Sequence, residues 1–393
     1  MPEPANFADT IFRHMLTADG CRNRRARLWA ALEEKPDWIL LSEPRHLMYF
    51  ANFYAPPFTF RTQNASAILV LGADGSSALI TDNMLGLYAD KAHVDDRIVA
   101  EWYTGVASAP ERQSVLVNAG KGAMQPRQGS RISFDQMVPS ELCLHLAESR
   151  RGIQRASINS AVRQLMRRKD RDEVDVLRRA IAAMEAAFTR AEETVHAGMT
   201  EMDVCALVST TVSDRLGEQS LIYGDFVSGA RTVEKGGPPT MRRIEKGELF
   251  LLDYSAVFYG YRADFTNTWV VDGEPSARQR ELAGCCLEAM EAGERLLKPG
   301  TRGRDVDAAL RRVFTTHDVL RYFPHHSGHG LGLGHPDPPY FTSGSDDVVV
   351  EGDVVTLEPG LYVTGVGGMR FERNYLITAT GFELLTRHHL GLD

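Results

Sequence analysis

Four of the chain's twelve histidines, His325, His326, His329 and His335, fall between Pro324 and Pro339, among glycines that let backbone segments approach closely. Four carboxylates elsewhere stand where a carboxylate is costly. Asp253 follows the apolar run Leu249-Phe-Leu-Leu, Asp264 lies in Arg262-Ala-Asp-Phe-Thr, Glu358 closes Val354-Val-Thr-Leu before Pro359-Gly360, and Glu372 follows Gly367-Gly-Met-Arg-Phe. An isolated buried carboxylate needs a counter-ion or a bound metal. Two Asp, two Glu and His329 make an oxygen-dominated set with one imidazole. Such a set suits a pair of divalent ions of Mn, Fe, Co or Zn, whose charge four carboxylates balance. A pair of surface or turn aspartates is the alternative for Asp253 and Asp264.

The elements that must position these groups can be read from periodicity. Glu248 to Tyr254 and Arg262 to Val271 flank Phe258-Tyr-Gly260-Tyr261, which reads as a hairpin. If opposed residue numbers sum to an odd value, Asp253 and Asp264 share a face. Upstream, Val174, Leu177, Ile181, Met184, Phe188, Ala191 and Val195 recur at steps of three and four, predicting a helix from Asp172 to Val195 that stops at Gly198. Thr200-Glu-Met-Asp203 offers a capping box for a second helix. Further helices are expected over Ser276 to Leu297 and Arg304 to Phe314, with strands in the remainder. Residues before about 155 alternate short apolar runs, such as Ala67-Ile-Leu-Val-Leu and Ser77-Ala-Leu-Ile-Thr, with turn signals and a helical segment from Cys21 to Leu32. This reads as a separate α/β domain, joined by a charged passage from Glu148 to Ala156.

The order Asp, Asp, Gly-His-Gly, Leu-Glu-Pro-Gly, Arg-Phe-Glu resembles the pita-bread metallopeptidase family, which includes methionine aminopeptidase, aminopeptidase P and prolidase, and whose fold creatinase shares. The resemblance implies an α/β chain of two domains. Residues 15–150 would form a creatinase-type N-terminal α/β domain, and residues 156–393 a pita-bread (α+β) catalytic domain. It also implies that Asp253 binds one metal, His329 and Glu358 the other, and Asp264 and Glu372 both. Manganese is the ion expected, with Fe, Co or Zn as the others. A water held between the ions would be the nucleophile, with Glu358 accepting its proton.

The chain also departs from that pattern. The family carries a substrate-facing histidine after Ser228-Gly229, yet Ala230 to Thr240 contains none. A second, seven residues after the metal-binding one, is replaced by Pro336. His335 stands one residue early, which on a strand means the opposite face. His335 is nonetheless the catalytic candidate, together with Glu358 and Arg370. Arg370, on the face of Glu372, would steady the carboxylates or bind a substrate carboxylate. Tyr223 lines the pocket or belongs to the core. Asp337 is a proton-transfer or turn residue, counted with Tyr223 and His325 as a substrate contact. His325 and His326 are expected to hold a carboxylate or face solvent. The charged run Arg167 to Glu173 reads as a solvated face.

A net charge of -8 without a long basic stripe argues against nucleic acid as a partner, and no uncharged apolar run reaches the length of a membrane span. The leading residues show no basic and apolar signal segment, so a cytoplasmic protein is expected. The five scattered cysteines, Cys21, Cys143, Cys205, Cys285 and Cys286, are expected to be buried thiols. The resemblance suggests a homodimer acting on a small peptide with proline after the scissile bond, like prolidase or aminopeptidase P. The alternative on the same fold is a small-molecule enzyme, resembling ectoine hydrolase or dimethylsulfoniopropionate lyase. A binding protein without turnover is the third reading.

Overall fold

Short apolar runs bounded by turn residues become a mixed five-stranded sheet in the first of the two units into which the chain divides, Met1–Met166 and Arg167–Asp393. The computed structural model describes residues 15–124, 130–149 and 158–393. The leading residues 1–14, and most of the passage expected between the domains, lie outside the described residues. Strands β1 (Trp38–Leu41), β2 (Ile68–Gly72), β3 (Ser77–Asp82), β4 (Asp96–Ala100) and β5 (Ile132–Phe134) run in the order β4-β3-β2-β1-β5. β2 is antiparallel to both β1 and β3, whereas β4 and β5 join in parallel, as an α/β arrangement requires. Leu40, Ile68, Val70, Ile80 and Ile132 pack on Leu116 and Val117 of helix Arg112–Ala123 and on Leu142 of helix Ser140–Ser149.

The second unit is organised by helix Arg171–Thr194, which starts at a capping box made by Asp170 and Glu173 and buries the expected stripe. Helix Glu201–Leu216 follows, capped by Thr200 and Asp203 as predicted. Three strands form the next sheet: β6 (Leu221–Ser228), β7 (Leu249–Phe258) and β8 (Tyr261–Val270). β7 and β8 meet at Tyr259-Gly260, where φ values of 51° and 79° give the two left-handed residues a tight hairpin needs. Phe188 stacks 5.2 Å from both Tyr254 and Phe265. Alternation then turns Asp253 and Asp264 to the other face of the sheet, away from that helix.

Helices Ala277–Glu294 and Gly303–Thr316 match the two expected segments to within a few residues. Leu282, Cys286, Leu310 and Phe314 pack there with Val355, Leu357 and Tyr375. The remaining strands are β9 (Gly328–Gly330), β10 (Asp337–Phe341), β11 (Val354–Leu357), β12 (Gly360–Val363), β13 (Gly367–Arg370), β14 (Arg373–Ile377) and β15 (Phe382–Leu384). Five form a sheet in the order β10-β9-β11-β14-β15, and β12 pairs with β13. The Glu372 amide donates to the Thr266 carbonyl (3.0 Å) and the Thr268 hydroxyl to the Arg370 carbonyl (3.1 Å), which seats the β13–β14 segment against β8.

Two expectations are corrected. The run Arg167 to Glu173 is only in part a solvated face: Arg168 and Arg171 are exposed, but Arg167, Lys169 and Glu173 are buried. Arg167 pairs with Asp353 (2.7 Å), and Glu173 caps the Asp170 amide (2.9 Å) and accepts the Tyr261 hydroxyl (3.0 Å), so the charges are neutralised inside the fold. Of the five cysteines, all free, Cys205 is only half-buried.

Candidate metal centre

Register assembles the site before any side-chain contact is considered. Asp253 opposes Asp225 on one side and Thr266 on the other, and Ser255 opposes Asp264. The opposed numbers sum to an odd value, so Asp253 and Asp264 do share a face. Glu372 joins them from the segment between β13 and β14, and one oxygen from each of the three lies within 4.8 Å of the others. His326, His329 and Glu358 form a second such group, and Asp264, His329 and His335 a third. Asp264 and His329 therefore link the groups into one continuous donor set.

His329 owes its place to the glycines around it. A Cβ on Gly328 would lie 2.1 Å from the Thr356 carbonyl oxygen, and one on Gly330 2.2 Å from that of Pro338, so β9 fits between β10 and β11 only without side chains there. The His329 Nδ1–H donates to the Gly330 carbonyl (2.9 Å), which leaves Nε2 as an acceptor, 3.5 Å from Glu358 Oε1. Burial lowers the His329 pKa, favouring the neutral imidazole that a metal needs.

Each carboxylate is held by a neighbour. The Ser255 hydroxyl donates to Asp264 (2.9 Å) and the Thr266 hydroxyl to Glu372 Oε2 (2.8 Å). The Arg370 guanidinium donates to Asp253, to Asp225 (2.6 Å) and to the Tyr362 hydroxyl (2.8 Å). His326 donates to Glu358 (2.8 Å), while His325 lies between the His326 carbonyl (2.8 Å) and the Tyr362 hydroxyl (3.0 Å).

The electrostatics divide the carboxylates. Burial pushes Asp253 up to about 7 against the opposing effect of Arg370, and Asp264 adds to the rise. Burial, with Asp264 and Glu358 close by, raises Glu372 well above the carboxylate range. Burial also raises Glu358, but the His326 hydrogen bond and the surrounding imidazoles outweigh it and hold the carboxyl well below its usual value. Asp264 is likewise held low, the His335 hydrogen bond outweighing burial. Burial takes His325 down to about 4, whereas the Glu358 hydrogen bond raises His326.

These residues fit divalent cations. Glu372 Oε1 is buried and accepts no hydrogen bond among the described residues, and it shares its surroundings with Asp253, Asp264 and Glu358. Arg370 is one cation among four carboxylates; further positive charge would satisfy the orphaned oxygen and relieve the repulsion that lifts Asp253 and Glu372.

The other sequence candidates fall around this set. His335 does not point away: its Nε2 bonds Asp264. The alternation of strand faces fails at this position because β10 begins only at Asp337 and has an irregular register between Asp337 and Tyr340. Tyr223 is 40% exposed, so it is no core tyrosine. Asp337 pairs across to Gly330, beside His329 in sequence. The sequence reading passed over Asp225, Ser255, Thr266 and Tyr362. Ser255 and Thr266 share the faces of Asp253 and Asp264 by simple alternation, so period two could have found them, and Asp225 is conspicuous as a lone charge in Leu221-Ile-Tyr-Gly-Asp-Phe-Val.

Comparison with known proteins agrees with this geometry. The chain is 31% identical over 230 residues to an Xaa-Pro dipeptidase of Pyrococcus furiosus, covering 58% of this chain and 66% of the relative. The Pyrococcus horikoshii Xaa-Pro dipeptidase is 30% identical over 58% of this chain and 65% of its own length. The match thus spans slightly less than two thirds of these relatives. Among solved structures, an Xaa-Pro dipeptidase from Bacillus anthracis superposes with a TM-score of 0.77 at 26% identity, over 95% of this chain and 99% of that one. A prolidase from Pyrococcus horikoshii OT3 gives 0.78 at 22% identity, over 94% and 100%, a likeness of fold. The model of metallopeptidase family M24 matches residues 175–379, just over half of the chain, which contain all five expected metal ligands. The chain belongs to metallopeptidase family M24.

Proposed function

We propose that this chain is a metal-dependent hydrolase with a dinuclear centre, cleaving short peptides that carry proline after the scissile bond. The observation that carries the reading is the convergence of Asp253, Asp264 and Glu372 on one point, contiguous with His329 and Glu358, around a buried carboxylate oxygen that has no hydrogen-bond partner among the described residues. Asp253 would hold one ion, His329 and Glu358 the other, and Asp264 and Glu372 both. Bound there, divalent ions supply Lewis-acid polarisation of a carbonyl and lower the pKa of a water.

The chain's own residues prepare this chemistry. Arg370 fixes Asp253, Ser255 fixes Asp264 and Thr266 fixes Glu372, so the donors are set in place in advance. His326 keeps Glu358 ionised through one oxygen, and Glu358 accepts the proton of the attacking water and returns it to the leaving nitrogen. His335, against Asp264, stands beside His329 with ring centroids 4.6 Å apart, and takes the place of the substrate-facing histidine that Pro336 has replaced. A cytoplasmic homodimer belongs to the same reading; a monomer by analytical ultracentrifugation would remove the dimer.

The second reading is a small-molecule C–N hydrolase or lyase on this fold. It is favoured by the segment after Ser228, which offers no imidazole and ties Arg231 to Glu201 instead. Purified protein loaded with Mn, Co, Fe or Zn and given Xaa-Pro dipeptides and longer Xaa-Pro peptides separates the two. Cleavage of either set supports the peptidase; a loaded enzyme that leaves both intact sinks it.

A further inference from the structure

The face of the β6–β7–β8 sheet that carries the metal ligands also carries a cation that the donor set does not use. Arg262 lies two residues before Asp264 on β8, so its side chain leaves the sheet on the same face. Its guanidinium carbon stands 4.3 Å from the centroid of the Tyr223 ring. Tyr223 is on β6, opposite Ser255, which is itself opposite Asp264. The Arg262 side chain therefore crosses over β7 and comes to rest on the row of residues that holds Asp264.

Three features mark this arginine as poised for an anion. Among the described residues no carboxylate forms an ion pair with it, although the side chain is half-buried on the face that carries Asp264. A desolvated cation without a paired anion is costly to keep. The stacking on Tyr223 fixes the guanidinium plane while, among the described residues, its N–H edge has no partner, the geometry that recognises a carboxylate through two parallel hydrogen bonds. Tyr223 is 40% exposed, so the platform is open on its outer side. The Arg262 amide also donates to the Gly332 carbonyl (2.8 Å), tying the root of the side chain to the loop that leads to His335.

We propose that Arg262, stacked on Tyr223, is the subsite for the free C-terminal carboxylate of a short peptide substrate, and that it makes this enzyme select dipeptides and tripeptides. Residues two strands apart lie about 10 Å from each other, and successive Cα atoms of a peptide about 3.8 Å. A carboxylate one or two residues beyond a carbonyl held at the donor set can reach that position. The proposal rests on the peptidase reading above.

The test compares an Xaa-Pro dipeptide with its C-terminal amide, using metal-loaded wild type, Arg262→Gln and Arg262→Lys. Wild type should favour the acid over the amide by about 10- to 100-fold in kcat/KM, the range expected for a charge-assisted hydrogen-bonded pair. Arg262→Gln should erase that preference through a raised KM for the acid, and Arg262→Lys should keep part of it. If wild type cleaves acid and amide equally well, or if Arg262→Gln weakens both alike, the subsite is refuted while the peptidase reading stands. If loaded wild type cleaves neither, the peptidase reading falls and takes the subsite with it.

Discussion

Replacing Asp253 by Asn should make the metal-free protein more stable. In the folded chain burial and neighbouring carboxylates lift Asp253 from its ordinary value of 3.8 to about 7. Between those values the folded state holds a proton that the unfolded state has released. Wild-type stability therefore falls as pH rises through that window, by about 1.4 kcal/mol per unit, and levels off above about 7. The full span corresponds to about 4 kcal/mol. The side chain keeps 18% of its surface in water, which screens part of the effect, so about 2–4 kcal/mol is expected. Asn occupies the same volume without the charge, and Arg370 retains Asp225 and the Tyr362 hydroxyl as partners. Urea unfolding in a chelator, followed by circular dichroism, should show the variant ahead of wild type by that margin at pH 8 and level with it near pH 4. With manganese added the order should invert, because wild type gains the binding free energy and the variant loses a ligand. A metal-free Asp253→Asn protein less stable than wild type at pH 8 would refute the idea that uncompensated carboxylate charge dominates this site.

Three further outcomes follow from other contacts. His388 stacks among Phe188 and Phe265, and burial takes its pKa down to about 3, so it stays neutral while the unfolded-state imidazole charges below about 6.5. Stability should fall by about 2 kcal/mol between pH 6.5 and 5 on this account alone, and His388→Phe should show a shallower acid limb; parallel curves for the two proteins would exclude it. His335→Ala should lower kcat at least about 100-fold with metal content unchanged, since its imidazole reaches Asp264 from outside the five-residue ligand set; unchanged turnover would reduce it to a loop residue. Thr266→Val should weaken metal retention by about 10- to 100-fold in Kd by freeing Glu372 to rotate, read by competition with a chelating dye; unaltered affinity would show that the Thr266 hydroxyl does not orient the carboxylate.

Much of the site was legible because its geometry is local. The parity of the β7–β8 hairpin depends only on a two-residue turn at Tyr259-Gly260, so the shared face of Asp253 and Asp264 followed from residue spacing. The Gly-His-Gly signal survives for the same reason, since packing between two strands admits only glycine on either side of His329. Misjudgement came where a long-range partner decides. Alternation placed His335 on the wrong face because it was applied to a residue that precedes its strand. The charges of Arg167 to Glu173 read as solvated because Asp353, which neutralises Arg167, and Tyr261, whose hydroxyl donates to Glu173, lie far along the chain. Asp225 was overlooked because its meeting with Asp253 needs the β6–β7 register, which no local spacing reveals.

In the proposed centre one continuous set of donors holds two ions that share Asp264 and Glu372. Metal analysis of protein equilibrated with manganese and gel-filtered, run beside Asp264→Ala, tests it most directly. Wild type should carry two ions per chain, and the variant should lose both. One ion or none in wild type, or an Asp264→Ala protein that still retains both, would contradict it.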